Sequence, residues 1–213
     1  MFGIFNLDSP IGRAMNTVAD IMILSVLWVV CSLPVFTVGA ATTALYYASM
    51  RSVRQEGSVF KDFFQAFRDN FKKSLMFTLL LAGAVLLIAG DFRIFSKVQL
   101  AGESVLRVIL YAVIFLLIMI VSYFFPLLAR YDAAVKAHIK NAFLLSISSP
   151  LTTLIVAAMN AAPILLFLIK PVWFFRVLPF ITILWVGMAA HINSRILLKL
   201  FEKIQPSEEN QNV

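Results

Sequence analysis

An all-α, polytopic membrane protein is the fold class this sequence predicts, and three observations predict it. Hydrophobic residues make up 61% of the 213-residue chain and charged residues only 14%. Several uncharged runs approach or exceed the roughly 18 residues that mark a spanning helix. The basic residues flank those runs, so the net charge of +7 is explained by orientation in the membrane and by anionic lipid, with no need for nucleic acid. The lipid bilayer is the first partner expected. One transmembrane helical domain over 1–204 leaves no room for a second module. The tail 205–213, QPSEENQNV, is too polar to build a core and is expected to be disordered.

Asp8-Ser9-Pro10 reads as a helix start, with Asp8 or Ser9 as cap and proline in the first turn. Arg13, Asn16 and Asp20 follow on one face. They form either a headgroup-level stripe or the mouth of a pathway. The N-terminal basic region is thin and the apolar run after it too long for a signal core, so the segment is expected to be retained.

The longest uncharged run is Ile21 to Met50. As one helix it would reach roughly 45 Å, against an apolar bilayer core of about 30 Å. A break is therefore expected between Leu33 and Gly39. Pro34 lacks the donor that helix continuation needs and disfavours helical angles at Leu33. Thr37-Val38-Gly39 supplies a turn. A second helix begins near Ala40, where Gly39, Thr43 and the ladder Ala40, Ala44, Ala48 place small residues four apart for close helix packing. Cys31 is the single cysteine, so no internal disulfide forms, and at membrane depth it is an inert apolar side chain.

Gly57 to Lys73 places Phe60, Phe63, Phe64, Phe67 and Phe71 on one face and Lys61, Asp62, Gln65, Arg68, Asp69, Lys72 and Lys73 around the rest. This pattern predicts an amphipathic helix lying in the membrane interface, its aromatic side toward lipid or the protein's own bundle, with a partner protein as the alternative occupant of that face. Ser74 to Gly90 is a short span, Asp91 to Arg107 a mixed-charge loop, and Val108 to Ala129 a clean span with Pro126 near its end. A second amphipathic segment covers 130–145, where Asp132 and Lys136 are spaced to pair. Leu151 to Ile169 and Val177 to Ser194 are the last spans, separated by a turn at Lys170-Pro171 with Trp173 and Arg176 at interface height. The count is five clear transmembrane helices, or six if 40–50 also spans.

Lys and Arg counts orient the chain. Segments 51–73, 130–140 and the tail from Arg195 hold six, three and three. The opposite side holds three in 91–107, two in 170–176, and Arg13 if the N-terminus lies there. The first set, and with it the C-terminus, is expected in the cytoplasm.

No side chains at metal-ligand spacing, no nucleophile–base pair and no cofactor motif stand out. His138 and His191 are the only histidines and neither has an evident partner. No catalytic, cofactor-binding or metal-binding residue is assigned, and the chain is not expected to be an enzyme. The polar candidates at membrane depth are Asn160, Thr42, Thr43 and Thr182. Asn160 reads as interhelical glue or, secondarily, as a solute contact.

FNLDSPIGR at 5–13, LWVVCSLPVFTVGAATTALYY at 27–47, FFQAFRDNFKKS at 63–74 and FPLLARYDAAVKAHIKNAFLL at 125–145 resemble the YesL-like family of small bacterial membrane proteins, whose function is not established. The resemblance implies a multi-pass protein of the bacterial cytoplasmic membrane. It also implies a role near carbohydrate ABC importers, beside which genes of that family often lie. It carries no catalytic residues. DAAVKAHIKNAF is similar to the coupling loop of ABC permeases but lacks that loop's usual glycine. Two functions follow as expectations. One is a non-enzymatic accessory or scaffold protein, with a carbohydrate ABC transporter or another membrane protein as partner. The alternative is a stand-alone transporter or channel for a small neutral solute; no ionisable residue sits mid-span, as ion coupling usually requires.

Overall fold

The computed structural model describes residues 10–95 and 103–204. The described chain is helical throughout, in the order α1 (Pro10–Cys31), a single 3₁₀ turn (Val35–Thr37), α2 (Val38–Val53), α3 (Val59–Phe95), α4 (Glu103–Arg130), α5 (Val135–Ser148), α6 (Pro150–Ile169), α7 (Pro171–Phe180), a π-helical turn (Ile181–Trp185) and α8 (Val186–Ile204). Among the described residues five stretches are long and apolar enough to cross a membrane: Ile11–Cys31, Val59–Asp91, Val105–Arg130, Pro150–Ile169 and Pro171–Lys203. The protein is an all-α, multi-pass membrane protein. The tail 205–213 and the cap residues Asp8 and Ser9 lie outside the described residues.

The break in the long apolar run falls at Ser32–Pro34, one turn earlier than the glycine. Pro34 is extended (φ −75°, ψ 113°). Thr37 closes the reversal by donating its hydroxyl to the carbonyls of Cys31 and Pro34, both at 2.6 Å. Gly39 is not a turn residue; it lies in the first turn of α2 and is buried there. Its missing side chain lets α3 approach, since a Cβ at 39 would stand 2.0 Å from Thr78 Oγ1 and 3.1 Å from the Ser74 carbonyl oxygen.

α2 is short, its 16 residues reaching about 24 Å against the roughly 20 residues of a free-standing span, and it runs back alongside α1, so that Ser52 near its end meets Asp20 of α1. It is the central post of the bundle: Ala40, Ala41, Thr43, Ala44, Leu45, Tyr46, Ala48 and Ser49 are all buried. The small-residue ladder explains why, because α1, α3 and α8 can close on it.

The Phe-rich segment is amphipathic but is not a separate in-plane helix. It continues through Lys72-Lys73-Ser74 into the apolar span, giving one helix of 37 residues, about 55 Å long. Nothing in that junction breaks a helix. Phe63 and Ala66 are fully buried against Ala41, Ala44, Leu45 and Ala48 of α2, while Phe60 and Phe64 remain exposed. The stripe therefore splits between the bundle and its surroundings. The loop expected over 91–107 is also shorter, since Asp91–Phe95 and Glu103–Arg107 are helical. Asp132 pairs with Lys73 of α3, not with Lys136.

A second core joins α3, α4, α5, α6 and α8 around Phe77, Tyr123, Phe124, Leu128, Val156 and Leu197. Phe77 stacks on Phe124, with ring centroids 3.5 Å apart. Tyr123 Oη and Thr153 Oγ1 lie 3.0 Å apart, and Thr153 also donates to the Ser146 and Ser149 carbonyls. This knot holds α5 where α4 ends and α6 begins.

Candidate functional site

Two of the clefts against α2 carry candidate polar groups. The first is an apolar cleft of about 610 Å³ between α1, α2, α6, α7 and α8. Trp28, Leu45, Pro163, Phe167, Phe174 and Trp185 form much of its wall, and Ile164 and Phe167 are exposed along its rim. The segment opposite α6 departs from regular α-helix. Pro179 cannot donate a backbone hydrogen bond, and a π turn follows at Ile181–Trp185, where the Val186 N–H reaches back to the Ile181 carbonyl. Thr182 Oγ1 caps the loosened turn by donating to the carbonyls of Leu178 (3.1 Å) and Pro179 (3.0 Å). π turns inside helices are frequent at functional sites.

Three polar side chains from three helices meet at the inner end of this cleft. Asn193 Nδ2 donates to Asn160 Oδ1 at 3.1 Å and to Tyr46 Oη at 3.3 Å. Tyr46 and Asn160 are also within hydrogen-bond reach of each other, at 3.3 and 3.4 Å. Amide and phenol groups bridging helices in this way suit helix association, each bond contributing on the order of 0.6–2 kcal/mol in a membrane. Asn160 was legible in the sequence as glue. Its partners, Tyr46 and Asn193, were not singled out in the sequence, because nothing local to either residue marks the other two helices it meets. Thr42 is drawn into the wall as well, accepting from Trp28 Nε1 at 3.1 Å. Thr43 instead faces α3, 2.9 Å from Ser74 Oγ.

The second cleft, about 550 Å³, is polar and lies at the basic end of the bundle. Arg13, Asn16 and Asp20 of α1 line it with Ser52, Gln55 and Glu56. The shared face read in the sequence is thus a cleft wall. Asp20 accepts a hydrogen bond from Ser52 Oγ at 2.6 Å, so the start of α1 lies beside the end of α2. The α2–α3 turn is tightly specified. Gln55 (φ 59°) and Gly57 (φ 69°) are left-handed, and a Cβ at 57 would stand 2.4 Å from Asp62 Oδ2. Arg51 reaches the buried Asp62 at 3.1 Å across this turn.

Further pairs gather the basic segments at one end: Arg54 with Glu202 at 3.5 Å, Lys73 with Asp132, and Arg130 over the Phe201 ring at 5.5 Å. The Lys73 ammonium holds the Asp132 carboxyl below its ordinary range. His138 is buried, and burial, reinforced by Lys73, pushes its imidazole below its ordinary value. Cys31 is partly exposed, beside the reversal. Among the described residues no group of three or more His, Cys, Asp or Glu is placed to hold a metal ion.

The fold and these clefts define a multi-pass helical membrane protein built on a short buried central helix. Residues 21–92 match the family described as Protein of unknown function, DUF624. That stretch holds the Pro34 reversal, all of α2 and most of α3. The chain is also similar to "Uncharacterized protein YesL" of Bacillus subtilis (strain 168), 26% identical over 140 residues, which cover 63% of this chain and 66% of that protein. The chain thus spans just under two thirds of the relative's length. Both matches bear out the resemblance to the YesL-like family. No solved structure matches.

Proposed function

We propose that this chain is a non-enzymatic accessory protein of the bacterial cytoplasmic membrane, and that its apolar cleft receives a transmembrane helix of a transport system. Carbohydrate ABC importers are the system to test first, on the association that the YesL-like resemblance implies. The observation that carries the reading is the cleft itself: apolar walls on five helices, an exposed rim at Ile164 and Phe167, and a hydrogen-bonding floor at Tyr46 and Asn160. Helices associate in lipid through close packing and a few interhelical hydrogen bonds, and such a cleft offers both.

The test is site-specific photo-crosslinking in native membranes. A probe at Ile164 should capture a permease subunit of a carbohydrate importer. A probe at Leu86, 73% exposed on α3, should capture lipid alone. Crosslinking to lipid from both positions would end the docking reading. A second reading, a facilitator for a small neutral solute, is favoured by the Tyr46–Asn160–Asn193 cluster. Solute uptake by the purified protein in vesicles, lost in Tyr46→Phe, would favour it.

A further inference from the structure

Near the ends of α2, α4 and α8 a small pocket of about 240 Å³ gathers three arginines. Arg51 and Arg54 come from the end of α2, and Arg130 from the last turn of α4. Leu198 of α8 completes the wall, and Glu56 is its acidic residue. The three cations are not equally engaged. Arg51 serves Asp62 at 3.1 Å and Glu56 at 3.9 Å. Arg54 meets Glu202 at 3.5 Å, and both side chains are exposed, so this pair contributes little. Arg130 has no ion pair among the described residues. Asp132, close to it in sequence, is held by Lys73.

An arginine in a helix's last turn often donates to that helix's own final carbonyls. Arg130 makes no such bond. Its guanidinium lies 5.6 Å from the Tyr131 ring centroid and 5.5 Å from that of Phe201, and its Nη1 has no partner. Arg51 is likewise 6.0 Å from the Tyr47 ring. Aromatic faces hold a guanidinium in place without neutralising it. Arg130 is also the first charge after the uncharged run Val108 to Ala129. As a helix that run is about 33 Å long, close to the roughly 30 Å of a bilayer's apolar core. Arg130 therefore stands at headgroup depth, half-buried and in the wall of the pocket.

We propose that Arg54 and Arg130, with Arg51 beside them, bind a phosphate group in this pocket. Planar guanidiniums offer paired donors that match phosphate oxygens. The phosphate is that of an anionic lipid headgroup or a free phosphate entering from water; the chemistry is the same. Binding draws Arg54 off an exposed carboxylate at small cost and gives Arg130 the counter-charge it lacks. It also ties the end of α2 to the end of α4. The site shares no residue with the apolar cleft and stands whatever occupies that cleft.

Native mass spectrometry of the full-length protein in a neutral detergent tests this, with phosphatidylglycerol and inorganic phosphate as probes. The unaltered protein should retain one phosphatidylglycerol. Arg54→Gln with Arg130→Gln should weaken that binding on the order of tenfold or more, as the loss of charge-assisted hydrogen bonds predicts. Arg130→Lys keeps the charge without the planar fork; it should also bind more weakly, and it is the variant to read if the double variant does not accumulate. Lys61→Gln with Lys72→Gln removes two exposed lysines outside the pocket and should leave binding unchanged. Inorganic phosphate bound in place of the lipid, with the same dependence on Arg130, upholds the site and assigns it to a soluble phosphate. The proposal is overturned if the unaltered protein retains neither probe, or if neither arginine variant binds more weakly. It is equally overturned if the lysine variant weakens binding as much as the arginine variants, since overall basic charge would then suffice.

Discussion

Gly187 is where α8 crosses α1, and its replacement by alanine separates close helix packing from simple helix propensity. A Cβ at 187 would stand 2.1 Å from the Ile21 carbonyl oxygen and 2.7 Å from Ser25 Oγ, whereas ordinary contact begins at 3.4 Å. The nearest atom is backbone, so no rotamer change relieves the clash, and α1 has to retreat by more than an ångström. That retreat also breaks the bond from the Gly187 N–H to Ser25 Oγ, 2.8 Å in the intact protein. Overpacking costs about 1–3 kcal/mol and an orphaned buried donor about as much again. Gly187→Ala is therefore expected to lose about 3 kcal/mol, which for a chain of this size lowers Tm by roughly 10 °C. Gly83 is the control, because a Cβ there meets nothing within 4 Å. Alanine at 83 should be neutral or stabilising by up to about 1 kcal/mol. Thermal unfolding in mild detergent, followed by tryptophan fluorescence, measures both. If Gly187→Ala melts with the unaltered protein, α1 and α8 do not cross at this distance and the reasoning fails.

Three further outcomes are expected. Arg51→Met leaves the carboxylate of Asp62, only 4% exposed, without its cation. The protein should lose stability, though less than on breaking a fully buried pair because Arg51 keeps part of its side chain in water, and adding Asp62→Leu should recover most of the loss; a double-mutant cycle by chemical denaturation decides. His138 has its imidazole pushed below the ordinary 6.5, first by burial and then by Lys73, so the unfolded chain binds the extra proton. Stability should then fall as pH drops below about 6.5, until the folded protein protonates as well, and His138→Gln should flatten that part of the profile; an unchanged slope in melts across the range would show that His138 does not set it. Reporter fusions after Gln55, after Lys140 and at the C-terminus should read cytoplasmic and a fusion near Gly102 external, and agreement between Gln55 and Gly102 would contradict α3 as a crossing helix.

The sequence alone determined that this chain is a bundle of membrane helices, because hydrophobic run length and flanking charge are local quantities. It placed the reversal near Pro34, since a missing backbone donor acts wherever the proline stands. It also marked Gly39 and the alanine ladder as packing residues, and Asn160 as polar glue. Tertiary structure decided the rest. Whether Phe63 faces lipid or protein depends on what stands opposite it, and only the packed α2 shows that Ala44 and Ala48 leave it room. Periodicity describes one helix at a time, so it could not show that Lys72-Lys73 lies inside a single long helix, or that Asp132 reaches Lys73 in preference to Lys136. The partners of Asn160 are 114 and 33 residues away, and their meeting is a product of three helices packing together. The unpaired charge of Arg130 is likewise invisible in sequence, because an arginine becomes an unmet cation only when packing has given the neighbouring carboxylate to another helix.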